Sequence, residues 1–222
     1  MTKLLCLSFD KKKDDQALEI FLVHQTIDDM TLCSDVKVYY RGGFYLTLTW
    51  DSFDYAITNH LMFMLKKALN NELALDNSIK KDLGFYLAKY HKNKKNKCLK
   101  YKIGPDGYQY WIGFNYNVYN ASSSYQQYTW IYNDKEGNII FEITPSYTWS
   151  YNWIRDGEIF TKYSDWLKTY KPYMIKKISK ETAQEWITQL DELIEKVTKN
   201  DERLTCTGPG CEMCKQGMPL HQ

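Results

Sequence analysis

Leu5, Leu7 and Phe9 alternate with their neighbours at the period of two that marks a strand with one buried face. From Asp14 the positions Leu18, Phe21, Leu22 and Gln25 shift to intervals of three and four, which predicts a helix. Val36, Val38 and Tyr40 alternate again, Gly42-Gly43 suits a two-residue hairpin turn, and Phe44, Leu46, Leu48 and Trp50 continue the alternation on a second strand. Ile57, Leu61, Met64 or Leu65, and Ala68 predict an amphipathic helix from about Asp54 to Asn70. Ile79, Leu83, Tyr86 or Leu87, and Tyr90 predict another, capped at Asp76, Asn77 or Ser78 and packed on the first as a hairpin.

The period returns to two between Tyr108 and Trp153. Tyr108, Tyr110, Ile112, Phe114, Tyr116 and Val118 alternate, then Tyr128, Trp130 and Tyr132, then Ile139, Phe141 and Ile143, then Tyr147, Trp149, Tyr151 and Trp153. Turns are expected at 104–107, 120–124 and 133–138, where Gly, Pro, Asn, Asp and Ser cluster. Phe160, Tyr163, Trp166 or Leu167, and Tyr170 suit a short helix that stops near Lys171-Pro172. Ser179 then caps a long helix with Ala183, Trp186, Ile187, Leu190, Leu193, Ile194 and Val197 on its apolar side. Helices that flank a run of adjacent strands define an α+β fold: an antiparallel aromatic-rich sheet, made of a meander plus an N-terminal hairpin, covered by several amphipathic helices. The expected organisation is a single domain over 1–200 followed by a Cys-rich tail over 201–222.

Composition narrows the functional classes. The chain has 19 Tyr and 7 Trp in 222 residues and a formal net charge of only +2, so no global field draws it to nucleic acid or an anionic membrane. Arg41, Arg155 and Arg203 are the only arginines, which disfavours bidentate reading of bases. The stretch Lys89, Lys92, Lys94, Lys95, Lys97, Lys100 and Lys102 holds no carboxylate, and beside an aromatic sheet it could contact single-stranded nucleic acid. A solvated Lys-rich loop explains it as well, and that reading is preferred. The apolar run after Met1 is short and meets Asp10-Lys-Lys-Lys at once, and no segment approaches about 18 apolar residues. A cytoplasmic protein without a membrane span is therefore expected.

Candidate chemistry concentrates in the tail. Cys206, Cys211, Cys214 and His221 follow C-x4-C-x2-C-x6-H, with Gly208-Pro209-Gly210 turning the chain between the first two thiols. Three thiolates and an imidazole can close a tetrahedral site around one Zn²⁺, structural in kind because four protein ligands leave no open position. A Cys-rich tail without metal, or a Cys211/Cys214 redox pair, are the alternatives. Cys6 and Cys33 are read as packing residues, and Asp51 and Asp54 as helix-start carboxylates. The sequence contains no Walker loop, G-x-S-x-G, H-E-x-x-H or dinucleotide fingerprint. An enzyme would need a dispersed site in which His24, His60 or His91 meets a Cys, Asp or Glu in a pocket.

The leading expectation is a non-catalytic, intracellular protein-binding domain whose partner is another protein. In size, α+β class and Tyr/Trp content the chain resembles bacterial immunity proteins, which neutralise a cognate toxin; the resemblance maps no motif residue by residue. Tyr and Trp suit interface anchors because they join large apolar area to a polar tip.

Overall fold

The computed structural model describes residues 1–10, 16–23, 26–27, 30–31, 35–92, 99–121, 126–147 and 160–200. These fall into two compact units, one built from Met1–Met62 with the chain from Gln184 onward, the other from Phe63–Ala183. The fold is α+β, with antiparallel sheets and amphipathic helices.

In the first unit, β1 (Thr2–Ser8), β2 (Ala17–Val23), β5 (Asp35–Arg41) and β6 (Tyr45–Ser52) form a four-stranded antiparallel sheet in that order. The short pair β3 (Thr26–Ile27) and β4 (Met30–Thr31) lies between β2 and β5 in sequence. The predicted β5–β6 hairpin forms, with Arg41 opposite Tyr45 and three loop residues rather than two. Gly43, at φ 80°, supplies the left-handed conformation that the loop needs. Leu48 is inserted between the partners of Val38 and Tyr39, a bulge that keeps it buried while re-phasing the strand.

The helix expected from Asp14 is instead the strand β2. It runs between β1 and β5, so Ala17, Leu18, Glu19, Ile20 and Leu22 are all buried. Apolar residues fall on both sides of this strand and Glu19 alone interrupts them, so the run does not distinguish strand from helix by period.

The expected helix from Asp54 is present as a π-helical stretch, Asp54–Met62, continued by α1 (Phe63–Leu69), with Ile57, Leu61, Leu65 and Ala68 fully buried. The long final helix, α4 (Lys180–Asn200), is capped as predicted: Ser179 Oγ accepts from the Thr182 N–H at 3.1 Å. Its Trp186 packs edge-on against Phe9 (4.9 Å) and donates its indole N–H to the Ser8 carbonyl at 3.0 Å. Phe9 in turn meets Tyr40, which fixes the helix to the inner side of the sheet.

The second unit is a meander of β9 (Asn117–Tyr119), β10 (Gln127–Asn133), β11 (Ile139–Pro145) and β12 (Met174–Ile178). The β10–β11 turn closes on Asp134, whose carboxylate accepts the N–H groups of Glu136 and Asn138, and Gly137 takes φ 79°. Asn133, fully buried, joins the chain after α1 to the end of β10: its amide donates to the Ala68 carbonyl at 2.9 Å and accepts from the Leu73 N–H at 3.2 Å.

The long strand expected from Tyr108 is broken. β7 (Tyr101–Ile103) pairs with β8 (Gln109–Trp111), and Ile112–Tyr116 then winds into a 3-10 turn before β9. The reason is local, since a Cβ at Gly113 would collide with the Trp111 ring that folds over it. The predicted second helix is α2 (Leu83–Lys92), which starts later than expected, is capped by Asp82, and packs on β11. α3 (Tyr163–Thr169) matches the short predicted helix. Trp149, Tyr151 and Trp153 lie outside the described residues.

Candidate binding face and a buried carboxylate

Because alternation buries Val36, Val38 and Tyr40, it turns Asp35, Lys37, Tyr39 and Arg41 to the opposite face of the first sheet. Register adds Glu19 and Phe21 from β2, Lys3 and Cys6 from β1, and Tyr45, Thr47 and Trp50 from β6. Three rows cross this face. The first reads Lys3, Phe21, Lys37, Trp50; the second Cys6, Glu19, Tyr39, Thr47; the third places Arg41 beside Tyr45. Tyr45 is 60% exposed and Trp50 39% exposed, so this face presents aromatic area to solvent.

Its polar groups are held in place. The buried Glu19 carboxylate accepts from Lys3 at 2.5 Å, from Arg41 at 3.1 Å and from the Tyr45 hydroxyl at 3.1 Å. Burial opposes its ionisation, but hydrogen bonds from Lys3 and Tyr45, with the Lys3 charge and Arg41, outweigh it and hold the carboxyl below its ordinary range. Phe21 meets Tyr39 edge-on at 5.5 Å, and Tyr39 meets Tyr45 at 6.3 Å. The Lys37 ammonium sits 3.8 Å above the Trp50 ring, a cation–π contact. At Asp35 burial raises the carboxyl pKa, while a hydrogen bond from Trp50 works against the rise.

The second cluster is internal. Glu142 of β11 is fully buried beneath the first turn of α2, where its carboxylate accepts the Leu83 N–H at 2.8 Å, the Gly84 N–H, and the Tyr132 hydroxyl at 2.9 Å. The uncapped N–H groups of a helix start explain why an acceptor is placed there. Gly84 allows the close approach, since a Cβ there would collide with Thr144 and with the Tyr170 hydroxyl. Asp82 caps α2 through the Phe85 N–H at 2.8 Å and accepts the Tyr170 hydroxyl. Burial, reinforced by the Asp82 charge, raises Glu142 to about 7 against the pull of its donors. With no exposed surface, the group can meet no substrate.

The residues singled out by sequence fall as follows. Cys206, Cys211, Cys214 and His221, the zinc ligand set, lie outside the described residues, as do His24, Cys33 and the His91 side chain. Among the described residues no group of three or more His, Cys, Asp or Glu is placed to hold a metal ion. His60 packs 4.1 Å from the Tyr55 ring, and burial holds it below its ordinary value while Asp51 works the other way. In the Lys-rich stretch, Lys100 pairs with Asp76 at 2.7 Å, Lys102 bonds Asn115, and Lys89 lies over the Phe85 ring. Lys94, Lys95 and Lys97 lie outside the described residues. No described helix is long and apolar enough to cross a membrane.

Glu19, Lys37 and Glu142 were not singled out by sequence. A signal existed for Lys37, since the alternation that buried Val36 and Val38 already placed it on the other face. Reading β2 as a helix hid Glu19.

No protein-family model, no curated protein and no solved structure matches the chain.

Proposed function

We propose that the chain is a non-catalytic protein-binding protein, of the kind in which an immunity protein blocks a toxin, and that it holds its partner on the outer face of the first sheet. The observation that carries this reading is the exposure of Tyr45 and Trp50 beside Phe21, Tyr39 and Arg41 on a face where Glu19 holds Lys3 and Arg41 in place. Tyr, Trp and Arg dominate the residues that carry binding energy at protein interfaces. Their fixed geometry lowers the ordering entropy that association would otherwise cost.

The test begins with a tagged full-length chain expressed in its source cells, identification of the retained partner, and reconstitution of the complex from purified components. The double substitution Tyr45→Ala/Trp50→Ala should weaken that complex by about a hundredfold or more, with the far-ultraviolet spectrum unchanged. Tyr108→Ala, on the exposed β7–β8 hairpin, should leave it within about twofold. A complex indifferent to the double substitution would remove the face from the reading.

A further inference from the structure

Lys3 and Arg41 share the Glu19 carboxylate, and the Trp50 indole donates to Asp35. Lys37 differs from them: among the described residues its partner is the Trp50 ring, and no carboxylate pairs with it. By register it stands between half-buried Phe21 on one side and Trp50 on the other, in the outer-face row that crosses the sheet. An ammonium seated on one ring and flanked by another is a receptor for an anion with apolar neighbours. The ring contact fixes the cation and leaves its other side able to take a carboxylate.

Building on the protein-binding reading, we propose that the partner docks an acidic segment across this row, with an Asp or Glu carboxylate on Lys37 and an adjacent apolar side chain against Trp50 and Phe21. The complementarity argues for a discrete carboxylate rather than a polyphosphate. A nucleic-acid strand lays phosphates across a whole face at regular spacing, and here Glu19 occupies the neighbouring row while Asp35 lies two residues from Lys37 on the same strand. Either carboxylate would repel the next phosphate. A peptide can place its charge on Lys37 alone and set neutral side chains over the remainder.

Three fluorescein-labelled probes of equal length separate the possibilities by anisotropy with the full-length chain: a nine-residue peptide alternating Glu and Leu, the same peptide with Lys for Glu, and a nine-nucleotide oligothymidylate. The acidic peptide should bind in preference to both. Lys37→Glu should weaken it by about tenfold or more, whereas Lys135→Glu, the same charge change on an exposed turn of the second unit, should leave it within about twofold. Added salt should weaken it as well. Preference for the basic peptide, lost in Tyr45→Ala/Trp50→Ala, would overturn the acidic segment and leave the binding face standing. Preference for oligothymidylate would overturn the assignment to a protein partner, and absence of binding by all three up to millimolar concentration, or indifference to Lys37→Glu, would overturn the carboxylate site itself.

Discussion

Replacing Glu142 by Gln removes an ionisable group from the interior of the second unit while keeping its shape. In the folded chain the carboxyl ionises at about 7, above its ordinary 4.5, because burial and Asp82 disfavour the charge. The sign follows from proton binding. Between these two values the folded state holds a proton that the unfolded state has released, so this group's contribution is complete below 4.5 and is lost as pH rises through about 7. At about 1.4 kcal/mol per pH unit, the loss amounts to roughly 3 kcal/mol. Gln offers one carbonyl oxygen to the Leu83 and Gly84 N–H groups and an amide to Tyr132, whose hydroxyl can turn to accept. Glu142→Gln should therefore match the wild type near pH 4.5 and exceed its stability near pH 8 by about 2 to 3 kcal/mol. Urea unfolding followed by tryptophan fluorescence from pH 4.5 to 8 measures it. His60, held low by burial, moves stability in the opposite direction over part of this window, so the quantity to read is the difference between variant and wild type. Asp82→Asn, which keeps the cap but removes the charge beside Glu142, should flatten the wild-type slope in part. A variant whose stability tracks the wild type at every pH would refute the argument.

Leu190→Ala opens a cavity at a fully buried position of α4 and should cost about 2 to 5 kcal/mol, read as a lower denaturant midpoint; an unchanged midpoint would place Leu190 outside the core. Asn133→Ala leaves the Leu73 N–H and the Ala68 carbonyl without their side-chain partner inside the second unit, and should destabilise by about 2 to 4 kcal/mol by the same assay. Gly43→Ala forces a Cβ into φ 80° with nothing nearby to collide with, so the penalty is backbone strain alone, about 1 kcal/mol, seen as a small fall in thermal midpoint.

Elements whose two faces differ were legible in the sequence. β5 and β6 alternate because one side is buried and the other carries Lys37, Tyr39 and Arg41; α4 shows its apolar side and its Ser179 cap for the same reason. Elements whose two faces carry similar residues, or that are short and at an edge, were not. β2 has apolar residues on both sides and only Glu19 among them, too little to set its period, and β12 reads Met-Ile-Lys-Lys-Ile, where two lysines mask a five-residue edge strand with Ile175 exposed. The 3-10 turn at Ile112–Tyr116 was hidden because alternation continues through it, and only Gly113 marks the place where the Trp111 ring must fit. Glu142 stood between Phe141 and Ile143 in a strand where a lone charge suggests solvent. Its burial depends on α2 lying over β11, a tertiary fact that no local pattern contains.

The two buried carboxylates show why residue type alone did not define the site. Glu19 and Glu142 sit in the middle of apolar strands, and burial disfavours charge at both. What differs is the donor set. Glu19 receives two cations and a hydroxyl, so its carboxyl is held low and its contacts with Lys3, Arg41 and Tyr45 keep an ionised acceptor below the ordinary carboxylate range. Glu142 receives two backbone N–H groups and a phenol, all neutral, with Asp82 close by, so its ionisation falls near neutrality. By the linkage relation Glu19 favours the folded state above its ordinary value and ceases to do so as pH falls, the reverse of Glu142. The Glu19 contacts with Lys3 and Arg41 thus stay ionic across the range in which the internal carboxyl of the second unit gains or loses its proton.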